Sequence, residues 1–137
     1  MKILVINGHP DKESYCQAIF QTIVETIDSN RHELKVISLN EEDFDPVLRY
    51  GYRKRMEEDS FILRSQEWIQ WADHLIFVYP IWWSSMPSLM KGWIDRVFTP
   101  GIAYSANDQG SFIWNYLRGK QFKKLLKGKT ASIYATS

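Results

Sequence analysis

The chain opens on the consecutive apolar residues Ile3-Leu4-Val5-Ile6, closed by Asn7-Gly8-His9-Pro10. An unbroken apolar run between turn residues predicts a strand covered on both faces, the habit of a parallel sheet clothed by helices. Cys16, Ile19, Phe20, Ile23, Val24 and Ile27 then recur at spacings of three and four. That period predicts an amphipathic helix, with Ser14 as its N-cap and Asp28-Ser29-Asn30 as its stop. Residues 34–39 alternate only in part, which predicts an edge strand, and residues 40–51 are polar, carry Pro46 and read as loop. A second helical pattern from about 53 to 72 sets Phe61, Trp68, Ile69 and Ala72 on one face. Residues 75–79 form the next double-faced strand, cut off by Pro80. A third helix starts near Pro87, buries Leu89, Met90, Trp93, Ile94, Val97 and Phe98, and stops at Pro100-Gly101. Residues 101–129 show no regular period, and residues 130–135 read as a fourth strand.

Strands alternating with helices imply right-handed crossovers and a parallel sheet. Such sheets bind ligands beyond the carboxyl ends of their strands. That rule selects the loops after Ile6, Tyr79 and Ala135. The length, 137 residues, suits one domain spanning 1–137, and 45% hydrophobic residues suffice for an ordinary core. A formal net charge of +1 argues against nucleic acid as a partner. One cysteine excludes an intrachain disulfide and fits a reducing compartment. With no long apolar stretch, the expectation is a cytoplasmic protein that is not membrane-embedded.

The first loop, from Gly8 to Cys16, leads a buried strand into a helix N-terminus, where free amides and the helix dipole favour a phosphate. Ser14 and His9 could add donors. The same residues also fit a plain helix cap and a solvated turn. With a single glycine, the loop is neither a dinucleotide-binding GxGxxG nor a Walker A loop. The second loop, Pro80-Ile81-Trp82-Trp83-Ser84-Ser85-Met86-Pro87, sets two tryptophans directly after a buried strand. That suits a flat ring system stacked at the sheet edge, with backbone amides reaching its heteroatoms; packing of both indoles is the plainer alternative. Cys16 lies on the apolar stripe and reads as a packed thiol. His32 and His74 lack metal-ligand spacing. Asp43, Asp45 and Glu41-Glu42 read as a solvated loop, and Asp95-Arg96 as a surface or interface ion pair.

Several blocks in order carry a family resemblance. They are Ile6-Asn7-Gly8-His9-Pro10 with Ser14, Phe44-Asp45-Pro46, Phe77-Val78-Tyr79-Pro80-Ile81-Trp82-Trp83, Met86-Pro87, Lys91-Gly92-Trp93-Ile94-Asp95-Arg96-Val97-Phe98, and Gly101-Ile102-Ala103-Tyr104. Over essentially the whole chain, the sequence resembles the flavodoxin-fold NAD(P)H:quinone oxidoreductases, the DT-diaphorase-like family. That family includes bacterial drug-activity modulators and ancillary flavoproteins of potassium-efflux systems. The resemblance implies an α/β, three-layer α-β-α sandwich with a parallel sheet in strand order 2-1-3-4. It implies flavin-phosphate contacts at His9, Ser14, Tyr15 and Cys16, and an isoalloxazine-binding turn at Pro80, Ile81, Trp82 and Trp83. Thr136 and Ser137 match the start of a further flavin-binding turn. Tyr104 matches a tyrosine that approaches the neighbouring subunit's flavin, which implies a homodimer.

The implied chemistry is hydride transfer from NAD(P)H through FMN or FAD to a quinone or other small-molecule acceptor, one pocket used twice in a ping-pong cycle. Family members continue for roughly another third of their length. The expectation is therefore a truncated product or a natural short form, with one wall of the flavin pocket and a fifth strand absent and the fourth strand's edge uncovered. Two rival readings accompany this one: a regulatory flavoprotein subunit of a membrane transport system, and a flavin-free, inactive short form. A one-electron flavodoxin carrier fits less well, because the first loop carries His9-Pro10 and the charge is near neutral.

Overall fold

The computed structural model describes residues 1–106 and 122–137. In chain order the elements are β1 (Lys2–Asn7), α1 (Tyr15–Thr26), β2 (Glu33–Ser38), a 3-10 turn (Leu39–Glu41), α2 (Ser60–Trp71), β3 (His74–Pro80), α3 (Ser88–Val97), β4 (Tyr104–Ala106), β5 (Phe122–Lys124) and β6 (Thr130–Thr136). Four strands pair in parallel in the order β2-β1-β3-β6, with Ile6 beside Ile37 and Phe77, and Phe77 beside Ile133. This is the expected 2-1-3-4 order, with β6 as the fourth strand. Among the described residues, no helix is long and apolar enough to cross a membrane.

The pleat of the two central strands sorts the core into two layers. Ile3 and Val5 of β1, with Ile76 and Val78 of β3, pack against Cys16 and Phe20 of α1. Leu4, Ile6 and Leu75 point the other way, toward Phe61, Ile62 and Ile69 of α2 and Met90, Trp93 and Val97 of α3. Strands buried on both faces can therefore be apolar at every position, which is why their sequences do not alternate. One polar pair locks the second layer: the fully buried Trp93 donates its Nε1–H to Ser65 Oγ at 3.1 Å.

Four local expectations are corrected. The second helix begins at Ser60, not near Arg53, because the Asp59 carboxylate accepts the Phe61 and Ile62 amides at 2.9 and 3.2 Å and fixes the start there. Asp95 and Arg96 do not pair, since adjacent helical residues diverge. Asp95 instead meets Lys91 at 2.6 Å, one turn away, while the buried Arg96 donates to the Asp45 carbonyl. The acidic loop leaves Glu41 and Asp43 exposed to solvent, as expected, but anchors Asp45 and Glu42. Asp45 accepts Val47 N–H and Arg49 Nε, Glu42 pairs with Arg64 at 2.5 Å, and a Cβ on Gly92 would collide with the Pro46 backbone. Within 101–129, read as irregular, β4 and β5 pair antiparallel, with Tyr104 beside Lys124; residues 107–121 lie outside the described residues.

At the far edge of the sheet, β6 is thinly covered: Ile133 is 60% and Tyr134 47% exposed.

Candidate functional site

Because all four strands of the main sheet run the same way, their carboxyl ends share one rim, and three turns meet there. The Gly8 N–H donates to the Val78 carbonyl at 2.8 Å, tying the first turn to β3. The Ile81 N–H donates to the Thr136 carbonyl at 2.7 Å, tying the second turn to the end of β6. Cys16 Sγ lies 3.2 Å from Thr136 Oγ1, closing the triangle. Above these ties the His9 ring meets the Trp82 ring edge-on, centroids 5.4 Å apart and planes at 78°.

The first turn is held close and electrically open. Gly8 is buried so tightly that a Cβ would overlap the Met90 sulfur. Ser14 is the N-cap of α1, in extended conformation, its Oγ accepting the Gln17 amide at 3.2 Å. No acidic side chain lies in the first turn of α1, so the positive end of the helix is not neutralised from within. His9 Nδ1 accepts the Asp11 N–H at 2.9 Å, which leaves the ring's proton on Nε2 as a donor. Tyr15 is 75% exposed, whereas Cys16 is buried and packs with Phe20, as its place on the apolar stripe predicts.

The second turn is strained. Pro80 is buried at the end of β3, while Ile81 and Trp82 are about half exposed. Trp82 and Ser85 exchange backbone hydrogen bonds at 2.8 and 3.0 Å, and between them Trp83 and Ser84 take φ values of +50° and +60°. Two consecutive left-handed residues make a type I′ geometry, which ordinarily recruits Asn-Gly. A tryptophan and a serine there hold conformational strain of about 1–2 kcal/mol each. The product is an indole that is 99% exposed. Strain of this kind concentrates at functional sites.

Thr136 thus joins the rim through both its carbonyl and its hydroxyl, with Ser137 following as an exposed residue. Tyr104 does not. It starts β4, its carbonyl accepting the Gly101 N–H at 2.7 Å, and lies near Tyr52, whose phenol is pushed up first by burial and then by Tyr104 and Asp95. A cavity of about 420 Å³ opens on that side, bordered by Tyr52, Ile62, Gln66, Arg96 and Ile102; none of the three converging turns lines it. Sequence reasoning missed Asn7, Gln17, Ser38 and Asn40, whose amides and hydroxyl sit beneath the first turn. A fully buried asparagine ending an apolar run was the available signal.

Residues 1–137 match a family model described as a flavodoxin-like fold. Among curated relatives, the ribosyldihydronicotinamide dehydrogenase-like protein traD of Penicillium crustosum is 29% identical over 99% of this chain and 57% of its own length. The ribosyldihydronicotinamide dehydrogenase [quinone] of Mus musculus is 28% identical over 97% of this chain and 66% of its own length. The chain therefore spans less than two thirds of either protein. The solved structure of Smu.1420 from Streptococcus mutans UA159 superposes with a TM-score of 0.79 at 34% identity, covering 100% of this chain and 68% of that one. With the family model matched from residue 1 to residue 137 and four parallel strands in the order β2-β1-β3-β6, the chain belongs to the flavodoxin-like fold family.

Proposed function

We propose that this chain is a cytoplasmic, flavin-dependent oxidoreductase that carries reducing equivalents from NAD(P)H to a quinone or similar small acceptor. The observation that carries the reading is the meeting of two chemically different turns at one rim, His9 of the first touching Trp82 of the second. One turn offers amide and ring donors suited to a phosphate; the other offers an apolar ledge suited to a planar tricycle. The relatives' names, ribosyldihydronicotinamide dehydrogenase among them, support the same class of chemistry.

FMN or FAD, when bound, would supply hydride acceptance from NAD(P)H and hydride donation to the acceptor, in two half-reactions that use the same place in turn. The protein's part is binding and orientation. His9 Nε2–H, the Ser14 hydroxyl and the amides at the start of α1, those of Tyr15 and Cys16, would hold the phosphate. Pro80, Ile81, Trp82 and Trp83 would form the ledge for the ring, and Thr136 and Ser137 would close its other side. Ile81, Trp82 and Ser85 already use their N–H groups on backbone carbonyls, so the turn's donors for ring heteroatoms are the tip amides of Trp83 and Ser84. Held in place beforehand by the turn, these amides would favour negative charge on a bound ring without reorganising. Tyr104 belongs to this scheme only across a homodimer, facing the site of a second copy.

The test is reconstitution of the purified protein with FMN and with FAD, followed by anaerobic titration with NADH and with NADPH. The expected result is a bound flavin bleached by one equivalent of donor and re-oxidised by a quinone, with parallel initial-rate lines. His9→Ala should lower FMN affinity about tenfold through the lost charge-assisted bond and leave riboflavin affinity unchanged. Absence of a flavin spectrum after reconstitution refutes the reading.

A further inference from the structure

We infer that Asn7, Gln17, Ser38 and Asn40 form a closed hydrogen-bonded ring that positions the His9 peptide for an anion at the first turn. The inference rests on the phosphate-binding role proposed above for that turn. These residues come from three elements: the end of β1, the first turn of α1 and the β2 end with its 3-10 turn.

The proton bookkeeping closes. Asn7 Nδ2 donates to Gln17 Oε1 at 2.6 Å and to Ser38 Oγ at 3.4 Å. Ser38 Oγ–H donates to Asn40 Oδ1 at 3.0 Å. Asn40 Nδ2 returns one hydrogen to Gln17 Oε1 at 3.5 Å and gives the other to the His9 carbonyl at 3.1 Å. Asn7 Oδ1 accepts the His9 N–H at 3.1 Å. Each amide hydrogen of Asn7 and Asn40 is used once, and the Gln17 oxygen accepts two. Asn7 is fully buried, so the bonds it makes form where water cannot replace them, while Gln17, Ser38 and Asn40 are partly buried.

The output of the ring is directional. His9 is gripped at its peptide N–H by Asn7, at its carbonyl by Asn40 and at Nδ1 by the Asp11 amide. What is left to point outward is Nε2–H. Gln17 carries the same brace to the helix start, because its backbone N–H is the one that Ser14 Oγ caps. The two donors proposed for the phosphate, from His9 and Ser14, are thereby fixed relative to each other by one side chain that touches neither donor atom. Preorganisation of this kind raises affinity by removing the ordering cost at the moment of binding. Gln17 and Asn40 are positioning residues, and their effect should follow the phosphate and not the ring.

The ratio of FMN to riboflavin affinity isolates the phosphate's share. It should be measured by fluorescence quenching on the flavin-free protein and on Gln17→Met, Asn40→Ala and the milder Ser38→Ala, each checked for wild-type circular dichroism. The expected result for Gln17→Met and Asn40→Ala is a ratio about tenfold lower, with riboflavin affinity unchanged and faster hydrogen exchange at the His9 amide in the flavin-free state. Ser38→Ala should give a smaller shift in the same sense, and it carries the test if the other two do not fold. Folded variants that keep the wild-type ratio overturn the positioning role and leave the flavin reading intact. A wild-type protein that shows no preference for FMN over riboflavin overturns the anion site itself, and this inference with it.

Discussion

Replacing Ser84 by glycine should make the protein more stable and its rim less effective. Ser84 sits at φ +60° beside Trp83 at +50°, inside the Trp82–Ser85 turn. A Cβ in that region costs roughly 1–2 kcal/mol. Glycine removes that strain but gains unfolded-state freedom worth about 0.5–1 kcal/mol. The net stabilisation is therefore about 0.5–1 kcal/mol. For 137 residues, an unfolding entropy of about 2.1 cal/mol/K per residue gives about 0.3 kcal/mol/K for the whole chain. The melting temperature should rise by about 2–3 °C. Ser84→Ala keeps the Cβ and is the control; it should melt with the wild type. Differential scanning calorimetry reads both, and FMN titration of the same samples should show weaker binding to Ser84→Gly, because a relaxed turn no longer fixes Trp83. Equal melting temperatures for the glycine and alanine variants would refute the strain argument, and undiminished FMN affinity would detach the strain from function.

Other expectations follow from the packing. Gly92→Ala should destabilise by about 1–3 kcal/mol, read as a lower urea midpoint at unchanged slope, because the clash is with the Pro46 backbone and not with a side chain that can swing away. Ser65→Ala should lose about 1–3 kcal/mol by stranding the buried Trp93 Nε1–H, and near-wild-type stability would mean that the indole finds another acceptor. The Asp45 carboxyl lies below its usual 3.8, first through the Val47 amide and then through Arg49. A group whose folded pKa is depressed adds stability above its unfolded value and loses it as pH falls through the folded one. The difference in urea midpoint between wild type and Asp45→Asn should accordingly be constant near neutrality and shrink below about pH 4; a gap independent of pH would remove the carboxylate's role.

The fold was legible because burial on both faces writes itself directly into the sequence. The apolar runs at 3–6 and 75–79, short and bounded by turn residues, read as central strands of a covered sheet, and the 3.6-residue stripes name the helices that cover them. The locations of the first two site loops then followed from the parallel topology. Other features were hidden for physical reasons. The start of α2 is set by a competition between one aspartate and a charged stretch that has no apolar stripe, and periodicity does not see it. Arg96 looks like a surface cation in one dimension, yet it is drawn inward by a backbone carbonyl fifty-one residues away. The Asn7–Gln17–Ser38–Asn40 ring joins residues whose only common property is where the topology delivers them. Likewise, nothing in Trp83-Ser84 as letters announces left-handed backbone; it follows from the paired amides of Trp82 and Ser85.

The knots that draw the rim together at Gly8–Val78 and Ile81–Thr136 are made from main-chain atoms alone. Such fastenings use no side-chain atom: at Ile81 only proline, which lacks the hydrogen, severs the tie outright, whereas at Gly8 any Cβ would also meet the Met90 sulfur. Lineages can therefore exchange the residues decorating the rim, and retune what it accepts, while the scaffold beneath keeps its shape.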